Sequence, residues 1–368
     1  MTSLSTEAAF APAMGVHGRW VAEVLRGATP PERLATCHQC AMCQPMAGGQ
    51  SHDERQFSPT VKCCTYWPVL PNYLVGAVLA GRGTADGRQR MVDMIAHPWA
   101  LPVGVGAPPW YQALYSTSSR SDFGRSERLL CPYYSSWDGG TCTIWESRNA
   151  VCSTYFCKHE RGKTGHQFWI SVHQFLACVE RILSQWCCLQ LGVPVDEVAQ
   201  ALLWSSDNGT RSLESFALDG SLRKPDHFWT GWEGAREEFY LSCDLRVRSL
   251  SWRDLQRLGG LELESRASRM MATFAKLTSA DIPTDLRMGR FAVAPGTAER
   301  ILVSTYRASD AQLLRLDVFA SLTLFDGRPV RDAVRSAESE FGVVLTDDEL
   351  RQLVDHCLLV EGPVLSEE

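Results

Sequence analysis

The residues best equipped for chemistry are thiols. Cys37, Cys40 and Cys43 are spaced by three, Cys63 and Cys64 are adjacent, and Cys131, Cys142, Cys152 and Cys157 fall within 27 residues rich in Pro, Gly and aromatics. Soft thiolates bind zinc, copper(I) or iron–sulfur clusters. A four-ligand site needs donors that converge on one point, and short spacings bring two or three there at little cost in chain entropy. The two-residue gaps of Cys37–Cys40–Cys43 suit three corners of an iron–sulfur cluster, with a remote cysteine as the fourth. The same turn serves a tetrahedral zinc site. Nine thiols allow two four-ligand sites with one left over, or one site plus structural thiols. The bland alternative is a set of buried, inert cysteines.

Thiolate sites concentrate negative charge. Lys62, Arg148, Lys158, Arg161 and Lys163 stand near the cysteines in sequence and are candidates to offset it. His38 and His159 are alternative ligands, though as neighbours of a thiol-rich site they are better read as supporting or surface residues. Cys178, Cys187, Cys188, Cys243 and Cys357 occupy apolar positions of helical patterns and read as core.

The 368 residues carry a formal charge of −6, with 45% hydrophobic and 21% charged side chains. This is an ordinary globular composition, long enough for two or three domains. The acidic balance argues against a general nucleic-acid binder. No basic stretch leads an apolar segment near the N-terminus, and no apolar run approaches ~20 residues, so neither a secretory signal nor a membrane span is expected. A cytoplasmic chain with fourteen cysteines is expected to use them for metal binding or catalysis rather than for disulfides.

The elements that must position the thiols follow from periodicity. Val16, Trp20, Val21, Val24 and Leu25 share one face of a helix ending at Gly27. Prolines 59, 68 and 71 forbid a regular helix around Cys63–Cys64. Asn72 is expected to cap a helix to Ala80, with a shorter one over Met91–Ala96. Pro98–Pro109 and Ser116–Ser121 read as loops, as does the stretch 48–53. The longest helix is expected over His166–Leu191, where Phe168, Val172, Phe175, Leu176, Val179, Leu183 and Trp186 keep helical spacing. A helix over Pro194–Trp204 and an aromatic, helical segment to Thr278 follow. Near Ile282-Pro283 the character changes. Arg290–Ala294 and Arg300–Tyr306 read as strands joined by Pro295-Gly296. Helices are expected at Ala311–Leu324, Pro329–Phe341 and Thr346–Leu358, the last opened by a capping box.

The second cysteine group carries a resemblance. Cys131-Pro-Tyr-Tyr, Gly140-Thr-Cys142-Thr-Ile144-Trp145-Glu146-Ser-Arg148, then Cys152 and Cys157, resembles the YkgJ-type cysteine-cluster family. That family's pattern is Cys-Pro-hydrophobic, Gly-x-Cys-x-Ile-Tyr-x-x-Arg-Pro-x-x-Cys and a further Cys. The resemblance implies zinc or iron chelation, and related patterns in flagellin lysine-methylating proteins suggest a link to protein modification by analogy. The family's upstream half runs CxxCxxCC without a break. Here Gln44 follows Cys43, and the double cysteine is displaced to Cys63-Cys64. Toward the C-terminus, the strand–strand–helix–turn–helix–helix order with Leu324-Phe-Asp-Gly-Arg-Pro-Val-Arg-Asp-Ala-Val334 resembles a PqqD-like winged-helix module, which implies capture of a peptide as an added strand. A plain winged helix packed on the rest of the chain is the alternative.

Other motifs fail on spacing. Gly162-Lys163-Thr164 lacks the upstream glycine of a phosphate loop, Cys157 standing in its place. Gly81-Arg-Gly83 and Gly104-Val-Gly106 lack a third glycine at dinucleotide-binding spacing. His159-Glu160 has no second His at metalloprotease spacing. The cysteine triplet lacks the three-then-two gaps of radical enzymes that use S-adenosylmethionine. The tryptophans at 186, 204, 229, 232 and 252 read as core.

The expectation is therefore an α+β, predominantly α-helical chain. A lead-in (1–36) precedes an irregular, loop-rich cysteine-cluster domain (37–165), a helical domain (166–289) and a small winged-helix-like domain (290–368). Its nine early cysteines would bind zinc or an iron–sulfur cluster, serving redox chemistry or modification of a peptide or protein partner. The alternative is a non-enzymatic adaptor with structural zinc.

Overall fold

The computed structural model describes residues 14–33, 37, 40–43, 56–119, 121–207 and 228–362. His38 and the 48–53 stretch lie outside them, as do the side chains of 203–207. The fold is mixed, with 54% helix and 12% strand, compatible with α+β. Among the described residues no helix is long and apolar enough to cross a membrane.

Two hydrophobic cores form. The larger runs from Met14 to Leu277 and draws on the lead-in, the cysteine-bearing loops and the helical region alike. The expected divisions at 37 and 166 thus do not separate cores. Helix α1 (Val16–Leu25) buries Trp20, Val21 and Val24 on the anticipated face, with His17 beside them. A short strand β1 (Leu70–Pro71) leads into α2 (Asn72–Leu79), buried along its whole length. Asn72 is the first residue of this helix rather than its cap. Its amide donates to Pro102 O at 2.8 Å and Ser184 O at 2.9 Å, bracing three segments.

Helix α3 (Ala85–Ile95) starts earlier than expected because Thr84 caps it, accepting from Gly87 N. The Pro98–Pro109 stretch holds two short strands, β2 (Ala100–Leu101) and β3 (Gly104–Val105), which pair with each other and, through β3, with β1. Helix α4 (Pro109–Thr117) takes up the start of the expected 116–121 loop. A two-stranded ribbon, β4 (Tyr134–Ser135) with β5 (Thr141–Cys142), precedes α5 (Ala150–Thr154).

The longest helix, α6 (Gly162–Gln190), buries Phe168, Trp169, Val172, Phe175, Val179 and Leu183. It begins one turn before the expected start. Helix α7 (Val195–Asp207) follows, then α8 (Arg236–Ser249) and α9 (Trp252–Thr278). Gly260, at φ 51°, kinks α9, and a Ser251–Asp254 capping box opens it. Cys178, Cys187, Cys188 and Cys243 are buried in this helical layer, as their patterns predicted, and Cys357 is half-buried. Trp229 is fully buried, and Trp186, Trp232 and Trp252 pack against the same core.

The second core gathers Leu286, Val303, Phe325, Leu350 and Leu359, with Ile282 against it. It therefore begins ahead of residue 290. Strand β6 (Asp285–Met288) sits between β10 (Asp326–Pro329) and β11 (Leu359–Glu361), and a second sheet runs β7 (Ala292–Thr297), β8 (Arg300–Ser304), β9 (Gln312–Arg315). Pro295 and Gly296 do not form the turn. They lie inside β7, where the register shifts between Ala294 and Thr297. Residues 312–315, expected as helix, form β9, because Leu302 and Val303 offer ladder partners that local propensity cannot anticipate. Helices α10 (Leu316–Ser321), α11 (Val330–Phe341) and α12 (Asp347–Asp355) complete the unit, and the predicted Thr346–Glu349 capping box is formed.

Candidate metal centre

Cys63 and Cys64 close a turn begun at Ser58, where Lys62 N donates to Ser58 O at 2.8 Å and Cys64 N to Val61 O at 3.0 Å. The turn forces Lys62 to φ 51°, a left-handed conformation that costs an L side chain roughly 1–2 kcal/mol. What Lys62 gains is position. Its buried Nζ donates to Cys37 O at 2.7 Å and to Gly140 O at 3.0 Å, tying the first cysteine group to the second. A further bond, Cys131 N to Cys64 O at 2.8 Å, joins the same two stretches. Gly140 must be glycine: its φ is 89°, and a Cβ there would stand 2.1 Å from the Tyr134 hydroxyl.

Cys142 lies on β5 opposite Tyr134, and Thr143 N donates to Tyr133 O to extend the ribbon. Cys152 sits in α5, whose cap Asn149 accepts from Cys152 N at 3.0 Å. Arg148 lies over the Trp145 ring at 3.5 Å and donates to Trp145 O and Cys152 O. Cys157 follows α5 in an irregular stretch held from the C-terminal unit by Arg307, whose Nη1 donates to Phe156 O at 2.9 Å.

These segments enclose one cavity of about 420 Å3. Eight of the nine candidate cysteines line it: Cys37, Cys40, Cys63, Cys64, Cys131, Cys142, Cys152 and Cys157, with Lys62 and Arg148 among them. Cys43 is not in the lining but is hydrogen-bonded to Cys40 through its side chain. The Cys63 thiol is bonded to both Cys37 and Cys64. Two groupings emerge from which thiols act on which. Cys37, Cys40, Cys63, Cys64 and Cys157 form one, and Cys131, Cys142 and Cys152 the other.

Burial pushes these thiols upward. Cys152 rises to about 12 and Cys157 to about 11, and Cys131 and Cys142 move in the same direction for the same reason. Arg148 pulls Cys142 and Cys152 the other way, but less. Without an added cation the cluster is therefore a set of protonated thiols, and a metal binding there would release protons. None of the fourteen cysteines is in a disulfide.

Among the described residues, no three Cys, His, Asp or Glu side chains are arranged as a metal-holding group. The donor chemistry fits zinc or an iron–sulfur cluster, while the thiols as they stand are not drawn to a common point. Protonated thiols have no reason to be: only a cation rewards their convergence.

The other expected participants divide. Lys62 and Arg148 are in the site. Arg161 is not: it pairs with Asp355 and donates to Leu277 O. His159 is buried against the C-terminal unit, its Nδ1 3.2 Å from the Tyr306 hydroxyl and its N–H donating to Asp310 at 3.2 Å. The aromatic wall of the cavity, including Tyr66, Tyr115, Phe123 and Tyr155, was not singled out from the sequence. Its signal was present in part, since Tyr66, Tyr133 and Tyr155 each stand two residues from a cysteine. Arg307 and Asp310 left no signal, being about 150 residues away along the chain. No family model, no curated protein and no solved structure matches this chain.

Proposed function

We propose that the chain is a metal-cluster protein in which cysteines of the cavity hold zinc or an iron–sulfur centre, and that it acts on, or docks, a peptide or protein partner. The observation that carries this reading is the meeting of eight cysteines from four separate stretches in one cavity, beside two buried or half-buried cations. Buried charge at such density is otherwise hard to justify. Cys37, Cys40, Cys63, Cys64 and Cys157 would supply one ligand group, and Cys131, Cys142 and Cys152 the other. Zinc would supply a structural or Lewis-acid centre, and iron–sulfur an electron carrier. The protein's own contribution is to gather the thiols, to place Lys62 and Arg148 against their charge, and to shield them from water.

The C-terminal unit supports a partner role. Its two three-stranded sheets and three helices are compatible with the PqqD-like, winged-helix resemblance. Strand β7 stands at a sheet edge with exposed side chains, a surface able to accept an extended peptide. This edge also favours the second reading, an adaptor whose zinc is purely structural.

Anaerobic purification followed by elemental analysis and visible absorption tests the proposal. Iron with sulfide and a brown, reducible chromophore are expected for a cluster, and stoichiometric zinc without colour for the adaptor. Replacing Cys131, Cys142 and Cys152 together by Ser is expected to remove the metal held by that group. A folded protein with neither metal, whose nine thiols all react freely, would end both readings.

A further inference from the structure

The cavity is larger than its thiols require. A zinc ion with sulfur at about 2.3 Å occupies about 50 Å3 inside its sulfur shell, so even two such ions take about a quarter of the space. The measured volume, about 420 Å3, lies in the range of sites for small organic molecules.

Its walls specify the guest. Tyr66, Tyr115, Phe123, Tyr133, Trp145 and Tyr155 line it together with the thiols. Tyr133 is fully buried, whereas Tyr115 and Trp145 are 39% and 36% exposed, so the cavity runs from solvent to the interior. The Tyr115 and Tyr66 rings meet edge to face at 5.8 Å, leaving faces for a further ring. Charge selects further. Lys62 Nζ is taken by two carbonyls, and Arg148 by Trp145, its carbonyl and that of Cys152. An anion entering here would be desolvated without a cation to receive it. A cation would meet tyrosine faces and the thiols.

We propose that the cavity binds one small molecule bearing a planar aromatic ring, neutral or cationic, beside the cysteines. This deepens the metal-centre reading and rests on it for the negative charge of the bound thiolates.

Calorimetric titration of the metal-loaded protein with quinoline, N-methylquinolinium and quinoline-6-carboxylate tests it, with metal content measured on the same samples. The first two are expected to bind at one equivalent, and the carboxylate at least about tenfold more weakly. Val151→Trp, which fills the lining, is expected to abolish binding while the metal remains. Should that variant fail to fold, Tyr115→Ala at the exposed rim decides, with binding expected to weaken about tenfold. Equal binding of all three probes, or wild-type binding in the folded variants, overturns the proposal. Normal metal content without ring binding overturns it alone and leaves the metal centre standing. Ring binding in protein that takes up no metal overturns the metal centre, and with it the charge selection claimed here.

Discussion

Lys62 shows how much one side chain organises. It accepts a strained backbone, is buried, and bridges two carbonyls from stretches 78 residues apart. Lys62→Met keeps the bulk and removes the donors. It should cost about 2–3 kcal/mol of stability, the worth of charged hydrogen bonds to buried acceptors, and about 10-fold in metal affinity as a support of the ligands. Urea midpoints and chelator competition read these separately. Glu180 is a second buried group with a measurable signature. Burial raises it to about 8, against the pull of Ala150 N–H at 2.6 Å. Its ordinary value is 4.5, so its contribution to stability is complete below that pH and lost as pH rises toward 8. His17, 3.6 Å away, is held down to about 3 by burial. Its contribution is complete above its ordinary 6.5 and lost as pH falls toward 3. Glu180→Gln should therefore remove the loss between pH 5 and 8 and shift the stability maximum upward, as urea midpoints across that range will register.

At the scale of elements, helices α2 and α8 touch through backbone. A Cβ on Gly76 would stand 1.9 Å from Tyr240 O. Gly76→Ala must push the two helices apart and should destabilise the protein by about 3 kcal/mol. Ser251→Ala, by contrast, removes one half of an exposed cap and should cost about 1 kcal/mol. Thermal unfolding of the two variants side by side distinguishes a packing contact from a cap. Periodicity made most of these helices legible: α1, α6, α11 and α12 carry apolar stripes wherever their neighbours lie. The short strands were not legible. Two-residue strands such as β2 and β5 contain no period, and β9 exists because β8 pairs with it.

For the whole molecule, the contact between the two cores is polar and ordered. Arg161 reaches Asp355, Arg307 holds Phe156 O, and Asp310 receives both His159 N and the Tyr306 hydroxyl. Gly162 enters α6 at φ 47°, where a Cβ would meet the His356 ring at 2.7 Å. The C-terminal unit thus grips the chain two residues from Cys157. Asp310→Ala leaves a buried N–H and hydroxyl without their acceptor and should cost about 3 kcal/mol. It should also lower metal content, because the segment carrying Cys157 loses an anchor. Calorimetry is expected to resolve two transitions where the parent shows one, and elemental analysis to give the metal. Unchanged metal content would show that the grip does not reach the thiols.

Residue type and spacing alone determined that the thiols are the chemical resource of this chain, because neither depends on folding. They also determined the long helices, since an apolar stripe is written locally. Only tertiary structure decided which thiols share a cavity, that Arg161 and His159 serve the junction between cores instead, and that aromatic rings wall the site. Those outcomes depend on contacts between residues tens to hundreds of positions apart, and a linear pattern carries no record of a distance that packing creates.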